Sequence, residues 1–120
     1  MFYILQLFYH HKIVCQELNC MLPIKRLEKS NTTDNLWLYI LAILDKQPLY
    51  GWEIPALIEK TFGFRPGKIT PYRVFYRMEA EGFVKSEMNV RRRIYKITPK
   101  GNEELKKAKV FYKEILAKLN

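Results

Sequence analysis

Two arginines and two tyrosines fall within one short stretch, at Tyr72, Arg73, Tyr76 and Arg77, and three consecutive arginines follow at Arg91, Arg92 and Arg93. Arginine offers a rigid fork of donors that matches a phosphate or a guanine edge, and it stays charged at neutral pH. Tyrosine adds a hydroxyl on a stiff ring. These side chains suit the grip of a polyanion. They do not make a reaction centre. The chain holds no Gly-rich phosphate loop ahead of a lysine, no G-x-S-x-G, no H-E-x-x-H and no paired acids in an apolar setting. A nucleophile needs a positioned base, so neither an enzyme nor a cofactor is expected.

The charge balance agrees. The chain has 120 residues, enough for one domain with a modest core, and a formal net charge of +9. The excess is concentrated. Residues 34–63 carry two lysines against four acids, whereas residues 64–100 carry ten cations (Lys68, Lys96 and Lys100 among them) against three acids. A basic segment of this kind points to nucleic acid or an anionic surface as partner. Cys15 and Cys20 lack a C-x-x-C spacing, and adjacent His10 and His11 diverge by about 100° on a helix. No metal site is expected, and reduced thiols in the cytoplasm are the reading of the cysteines.

The elements that must position the arginines can be read from caps and periodicity. Thr70 is an N-cap candidate, Pro71 suits the first helical position, and Gly82 suits a left-handed C-terminal stop. Between them Val74, Phe75 and Met78 form an apolar stripe, which leaves Tyr72, Arg73, Tyr76 and Arg77 on the other face. After Gly82 the period becomes two. Phe83–Glu87 reads as a strand, Asn89 as a turn and Arg93–Ile97 as the returning strand, with Arg91 and Arg92 at the tip. Upstream, Thr33 or Asp34 caps a helix that is apolar nearly all round (Leu36, Trp37, Ile40, Leu41, Ile43, Leu44). Tyr50 to Glu53 opens another, with Ile54, Leu57, Ile58 and Phe62 as its stripe. Thr98-Pro99 caps a last helix in which Leu105, Ala108, Tyr112, Ile115 and Leu119 step by 3 and 4, a short heptad seam. With Phe111 and Leu116 added, that surface is wider than a free monomer helix would show, so it is expected at a dimer contact.

The resulting order of helix, helix, helix, strand, basic turn, strand, helix is that of a winged helix-turn-helix. The expected fold is mainly α with a small β-hairpin, dimerising through terminal helices. The winged domain is expected over 34–98, an N-terminal extension over 1–33 and a C-terminal dimerisation helix over 99–120. The helix from Thr70 would enter a major groove, with Lys68, Thr70, Tyr72, Arg73, Tyr76 and Arg77 as contacts. The wing arginines Arg91, Arg92 and Arg93 would meet the backbone or the minor groove. Most of these are expected on phosphates, which take half to two-thirds of protein–DNA hydrogen bonds.

Leu36 to Leu105 also resembles the PadR-like transcriptional regulators. The matching pieces are L-W-L-Y-I-L-A-I-L, P-L-Y-G-W-E-I, Y-R-V-F-Y-R-M-E-A-E-G-F-V and R-R-R-I-Y-K-I-T-P-K-G-N-E-E-L. The resemblance implies a homodimeric regulator of transcription on double-stranded DNA, usually a repressor acting at a palindrome, with the C-terminal helix in the dimer contact. For some relatives it implies a small-molecule inducer at the dimer interface. The chain departs from the family at Gly67-Lys68-Ile69, where Ser-Pro-Gly is common, and with one helix after the wing it is similar to the short-tailed members. Two rival functions remain at this point: a nonspecific architectural DNA binder, and a winged protein-interaction adaptor.

Residues 1–33 lie outside the resemblance. Ile4, Leu7, Phe8, Val14, Cys15, Leu18 and Leu22 share a helical face, which fits packing on a partner subunit or an interfacial helix. Met21 is an alternative start. The apolar run is too interrupted for the roughly 20 residues of a membrane span. Pro23 is expected to end that helix and Lys25–Thr33 to be a polar connector.

Overall fold

The computed structural model describes residues 22–67 and 70–120, and the chain divides into two units, Met1–Asp34 and Asn35–Asn120. The readings made for the face from Ile4 to Leu18, for the cysteines and for the histidines lie outside the described residues. In the first unit the described helix is α1, Pro23–Ser30. Pro23 therefore begins a helix, and residues expected as a connector are helical. The reason is that proline has no N–H to lose at the first position, where none would be bonded. Leu22, Ile24 and Leu27 are exposed on this segment.

The second unit is built on α2, Leu36–Leu44, which is apolar nearly all round because neighbours cover it on several sides. Ile40 and Leu41 are fully buried, and Leu36, Ile43 and Leu44 nearly so. Its N-cap position is held by Asn35, not Thr33 or Asp34. Those two lie in a 3-10 turn, Thr33–Asn35, and Asn35 turns its side-chain oxygen to the Trp37 indole N–H at 3.2 Å.

A strand intervenes where a helix start was expected. Leu49–Tyr50 is β1, followed by a 3-10 turn, Gly51–Glu53, and then α3, Ile54–Phe62. Leu49 turns its side chain into the core while its backbone pairs with a later strand. The Tyr50 N–H donates to the Glu53 carboxylate at 2.9 Å, which secures the turn into α3. α4, Thr70–Ala80, stops just before Gly82, whose φ of +85° is the left-handed stop that its type suggested. β2, Val84–Asn89, and β3, Arg92–Ile97, form the hairpin. With β1 they make a three-stranded antiparallel sheet in the order β1-β3-β2.

α5, Pro99–Leu119, is capped by Thr98, whose hydroxyl oxygen accepts from the Gly101 N–H at 3.1 Å. The same hydroxyl lies 2.6 Å from the Gly82 carbonyl and 3.0 Å from that of Phe83. Leu105, expected at a dimer contact, is 2% exposed and completes the core of its own domain, so that side chain has no surface left to offer a partner. Beyond it Phe111, Tyr112, Ile115, Leu116 and Leu119 are exposed.

Gly101 is where the first turn of α5 meets the end of the hairpin. A Cβ at this position would overlap the Phe83 carbonyl oxygen. Backbone cannot yield as a flexible side chain does, and overpacking of this kind costs about 1–3 kcal/mol. Gly101→Ala is therefore expected to lower the unfolding free energy by an amount in that range, read as a lower urea midpoint. An unchanged midpoint would show that the α5–hairpin approach is looser than described.

Candidate nucleic-acid interface

α4 separates its side chains as its sequence directs. Pro71, Phe75 and Met78 are buried and Val74 is half-buried, while Arg73, Tyr76 and Arg77 stand exposed at spacings of three and four. At 1.5 Å per residue the helix is about 16 Å long, a suitable length for a major groove about 12 Å wide. Phe75 fixes its rotation. Its ring stacks on that of Tyr95 in β3, with centroids 4.6 Å apart and planes at 22°. Burial pushes the Tyr95 phenol above its ordinary value, with the nearby Glu79 carboxylate adding to the effect. Tyr72 sits at the flank, 40% exposed, with its ring edge-to-face with Phe75. Thr70 is exposed at the start of α4, and Lys68 falls outside the described residues.

The two helix arginines differ in their neighbours. Arg77 donates from Nε to Glu81 at 3.3 Å, one turn on, and remains 83% exposed. Such a surface pair is worth about 0.3–0.5 kcal/mol, so it holds the guanidinium only weakly. Arg73 has no ion pair among the described residues.

The wing is tighter than its sequence suggested. Asn89 pairs with Arg92 across the hairpin, so the turn consists of Val90 and Arg91 alone, both with left-handed φ of 47° and 66°. Arg92 is thus the first residue of β3 and not part of the tip. The three arginines then part company, because successive strand residues face opposite sides. Arg91 is in the turn itself. Arg93 shares a face with Tyr95 and donates to the Ser86 hydroxyl at 2.7 Å. Ser86 in turn donates from its hydroxyl and its backbone N–H to Glu79 of α4, at 2.6 and 3.1 Å. A side-chain relay therefore ties the wing to α4. Arg92 lies on the other side, its guanidinium 6.0 Å from the ring centre of Trp52.

Glu79, Trp52 and Tyr50 were not among the residues expected at the interface, yet they contact those that were or their hairpin partners. Glu79 looks like an ordinary helix acid until β2 is folded against it. Trp52 had one visible signal: it falls outside the stripe of Ile54, Leu57 and Ile58 and so had no core to fill.

An exposed arginine helix, a hairpin with an arginine turn and the connecting core are the parts of a winged helix-turn-helix. The transcriptional regulator PadR-like family matches residues 40–107. The chain belongs to that family. Among solved structures, a transcriptional regulator from Clostridium thermocellum is 30% identical, covering 70% of this chain and 87% of that one with a TM-score of 0.63. A PadR family transcription regulator from Clostridium difficile is 27% identical, covering 69% and 95%, TM-score 0.60. Bacillus subtilis PadR, solved in complex with operator DNA, is 25% identical over 60% of this chain and 45% of that one, TM-score 0.55. No curated protein matches the chain. As a PadR-like protein it is a DNA-binding transcriptional regulator. No helix among the described residues is long and apolar enough to cross a membrane.

The turn of this PadR-like wing is strained. A β-branched residue in the left-handed region is a genuine outlier, costing roughly 1–2 kcal/mol, whereas asparagine tolerates it and is favoured in two-residue hairpin turns. Val90 is 88% exposed and contributes no packing to lose. Val90→Asn is expected to raise stability by about 1 kcal/mol, seen as a higher urea midpoint with an unchanged slope. A lower midpoint would show that the valine side chain holds the turn.

Proposed function

We propose that this PadR-like protein acts as a homodimeric repressor on a pseudo-palindromic operator, with one α4 in each of two successive major grooves. The observation that carries the reading is the uncovered face of Arg73, Tyr76 and Arg77 beside a wing turned by Arg91. Arg73 and Arg77 read a base edge or clamp phosphate, Thr70, Tyr72, Tyr76 and Lys68 reach the backbone, and Arg91 with Arg92 and Arg93 follows the strand beyond the groove.

Twofold assembly is supported by α5. Ala108, Phe111, Tyr112, Ile115, Leu116 and Leu119 extend past the core as an apolar strip, and Phe111, Leu116 and Leu119 are 59%, 63% and 77% exposed. A strip of this size on a regulator needs a cover, and a second α5 provides a matching one. An effector molecule fits the same plan in an open cleft of about 330 Å³ that borders α5 at Leu105 and Lys109 and is floored by Ile43 and Leu57. The cytoplasm is where such a regulator meets its DNA.

Selection of bound sites from random duplex DNA tests the whole reading. The expected result is an inverted repeat with half-sites about one helical turn, or a multiple of it, apart. Recovery of unrelated sequences would favour a nonspecific architectural binder, and recovery of none a protein adaptor. On the selected site, Arg73→Ala with Arg77→Ala is expected to weaken binding at least tenfold and to flatten the salt dependence by about one to two ions. Unchanged affinity and slope would remove α4 from the groove.

A further inference from the structure

We infer that Trp52 is a positioning residue for the wing, holding Arg92 aligned for a DNA phosphate that passes between the hairpin and the start of α3. The inference rests on the DNA-binding reading above and adds to it a residue that lies outside both reading elements.

Trp52 is 60% exposed in the 3-10 turn ahead of α3, so the core does not account for its size. Its cationic neighbour is Arg92, whose guanidinium lies 6.0 Å from the ring centre, at the outer limit of a cation–π contact. The same two segments are joined a second time. Asn89, the partner of Arg92 across the hairpin, donates from Nδ2 to the Tyr50 hydroxyl at 3.0 Å. Tyr50 is anchored in turn, by β1 pairing with Ile94 and by its N–H bond to Glu53. The end of the hairpin thus meets the segment 50–53 through one hydrogen bond and one cation at the outer range of an aromatic ring.

The three wing arginines are held differently, and the difference has a physical consequence. An arginine that grips a phosphate gives up rotamer freedom at that moment. Arg91 has no ion pair or hydrogen bond among the described residues and gives up all of it on binding. Arg93 already spends a donor on Ser86. Arg92 lies at the outer edge of cation–π range from a ring that attracts its guanidinium yet takes none of its five N–H donors, so it is biased toward one position and free to donate. That combination is what a phosphate contact needs.

The test uses the full chain and a fluorescein-labelled duplex of mixed sequence, with affinity read by anisotropy over a series of salt concentrations. Trp52→Ala is expected to weaken binding about two- to fivefold, the scale of an exposed cation–π contact. Trp52→Phe, which keeps an aromatic face, retains most of the affinity. In an Arg92→Ala background Trp52→Ala adds no further loss. Trp52→Ala also lowers the salt slope toward that of Arg92→Ala, which a merely loosened fold would not do. Circular dichroism checks that each variant is folded. Equal losses in the two backgrounds, or a loss with an unchanged slope, would overturn the proposal, since Trp52 would then act without Arg92. No loss at all would overturn it as well. If the unaltered chain fails to bind the duplex, it is the DNA-binding reading itself that falls, and the positioning role falls with it.

Discussion

Phe75 and Tyr95 meet face to face in the centre of the domain, one from the exposed arginine helix and one from the returning strand of the wing. Neither element would stand alone. A helix of 11 residues is below the length at which isolated helices persist in water, and a lone two-stranded hairpin is marginal. Each becomes stable by burying an aromatic ring on the other, and such rings remove roughly 150–250 Å² apiece from water. The stack therefore does more than add stability. It sets how α4 is rotated, and so which side chains it shows to solvent. The Glu79–Ser86–Arg93 relay repeats the tie in polar form, and the buried side-chain polar atoms among the described residues are all satisfied.

Much of this was legible in the sequence because local chemistry and global fold agree. Gly82 and Thr98-Pro99 mark helix ends by mechanisms that need no tertiary partner, whereas Thr70, expected as a cap, is already the first residue of α4. The stripe of Phe75 and Met78 named the buried face of α4 correctly. The illegible parts are those set by contacts distant in the chain. Leu49–Tyr50 is too short to show a period of two, and it is a strand only because β3 offers it a free edge. The tip of the wing was placed one residue late because Val90 is a poor resident for a left-handed turn, and the strand register forces it there. Leu105 fits a heptad seam as well as it fits a core, and periodicity cannot tell the two apart. Pro23 has two meanings, stop and start, and only the chain that follows it decides.

The distribution of charge gives the domain a division of labour. Residues 34–63, which carry the core helices α2 and α3, have a small acidic excess, while 64–100 hold ten cations against three acids. The arginines of the second stretch are not locked in the interior. Arg65 and Arg77 meet surface glutamates, Arg93 a serine hydroxyl and Arg92 the face of an indole, none of which holds its cation strongly. The cations of this PadR-like protein are oriented by weak surface contacts.

The Thr98 hydroxyl and the Lys100 ammonium both close on the link between α4 and β2. Thr98 lies against the Gly82 and Phe83 carbonyls, and Lys100 donates to that of Glu81 at 2.6 Å and covers the Phe83 ring. Gly82 is the one place in that link where a hinge would be expected, and the first turn of α5 occupies it. α4 and the hairpin consequently have no joint of their own. A torque applied along the far end of α5 is delivered to both at once, so that turning this long helix would swing the two as a single blade rather than open the angle between them.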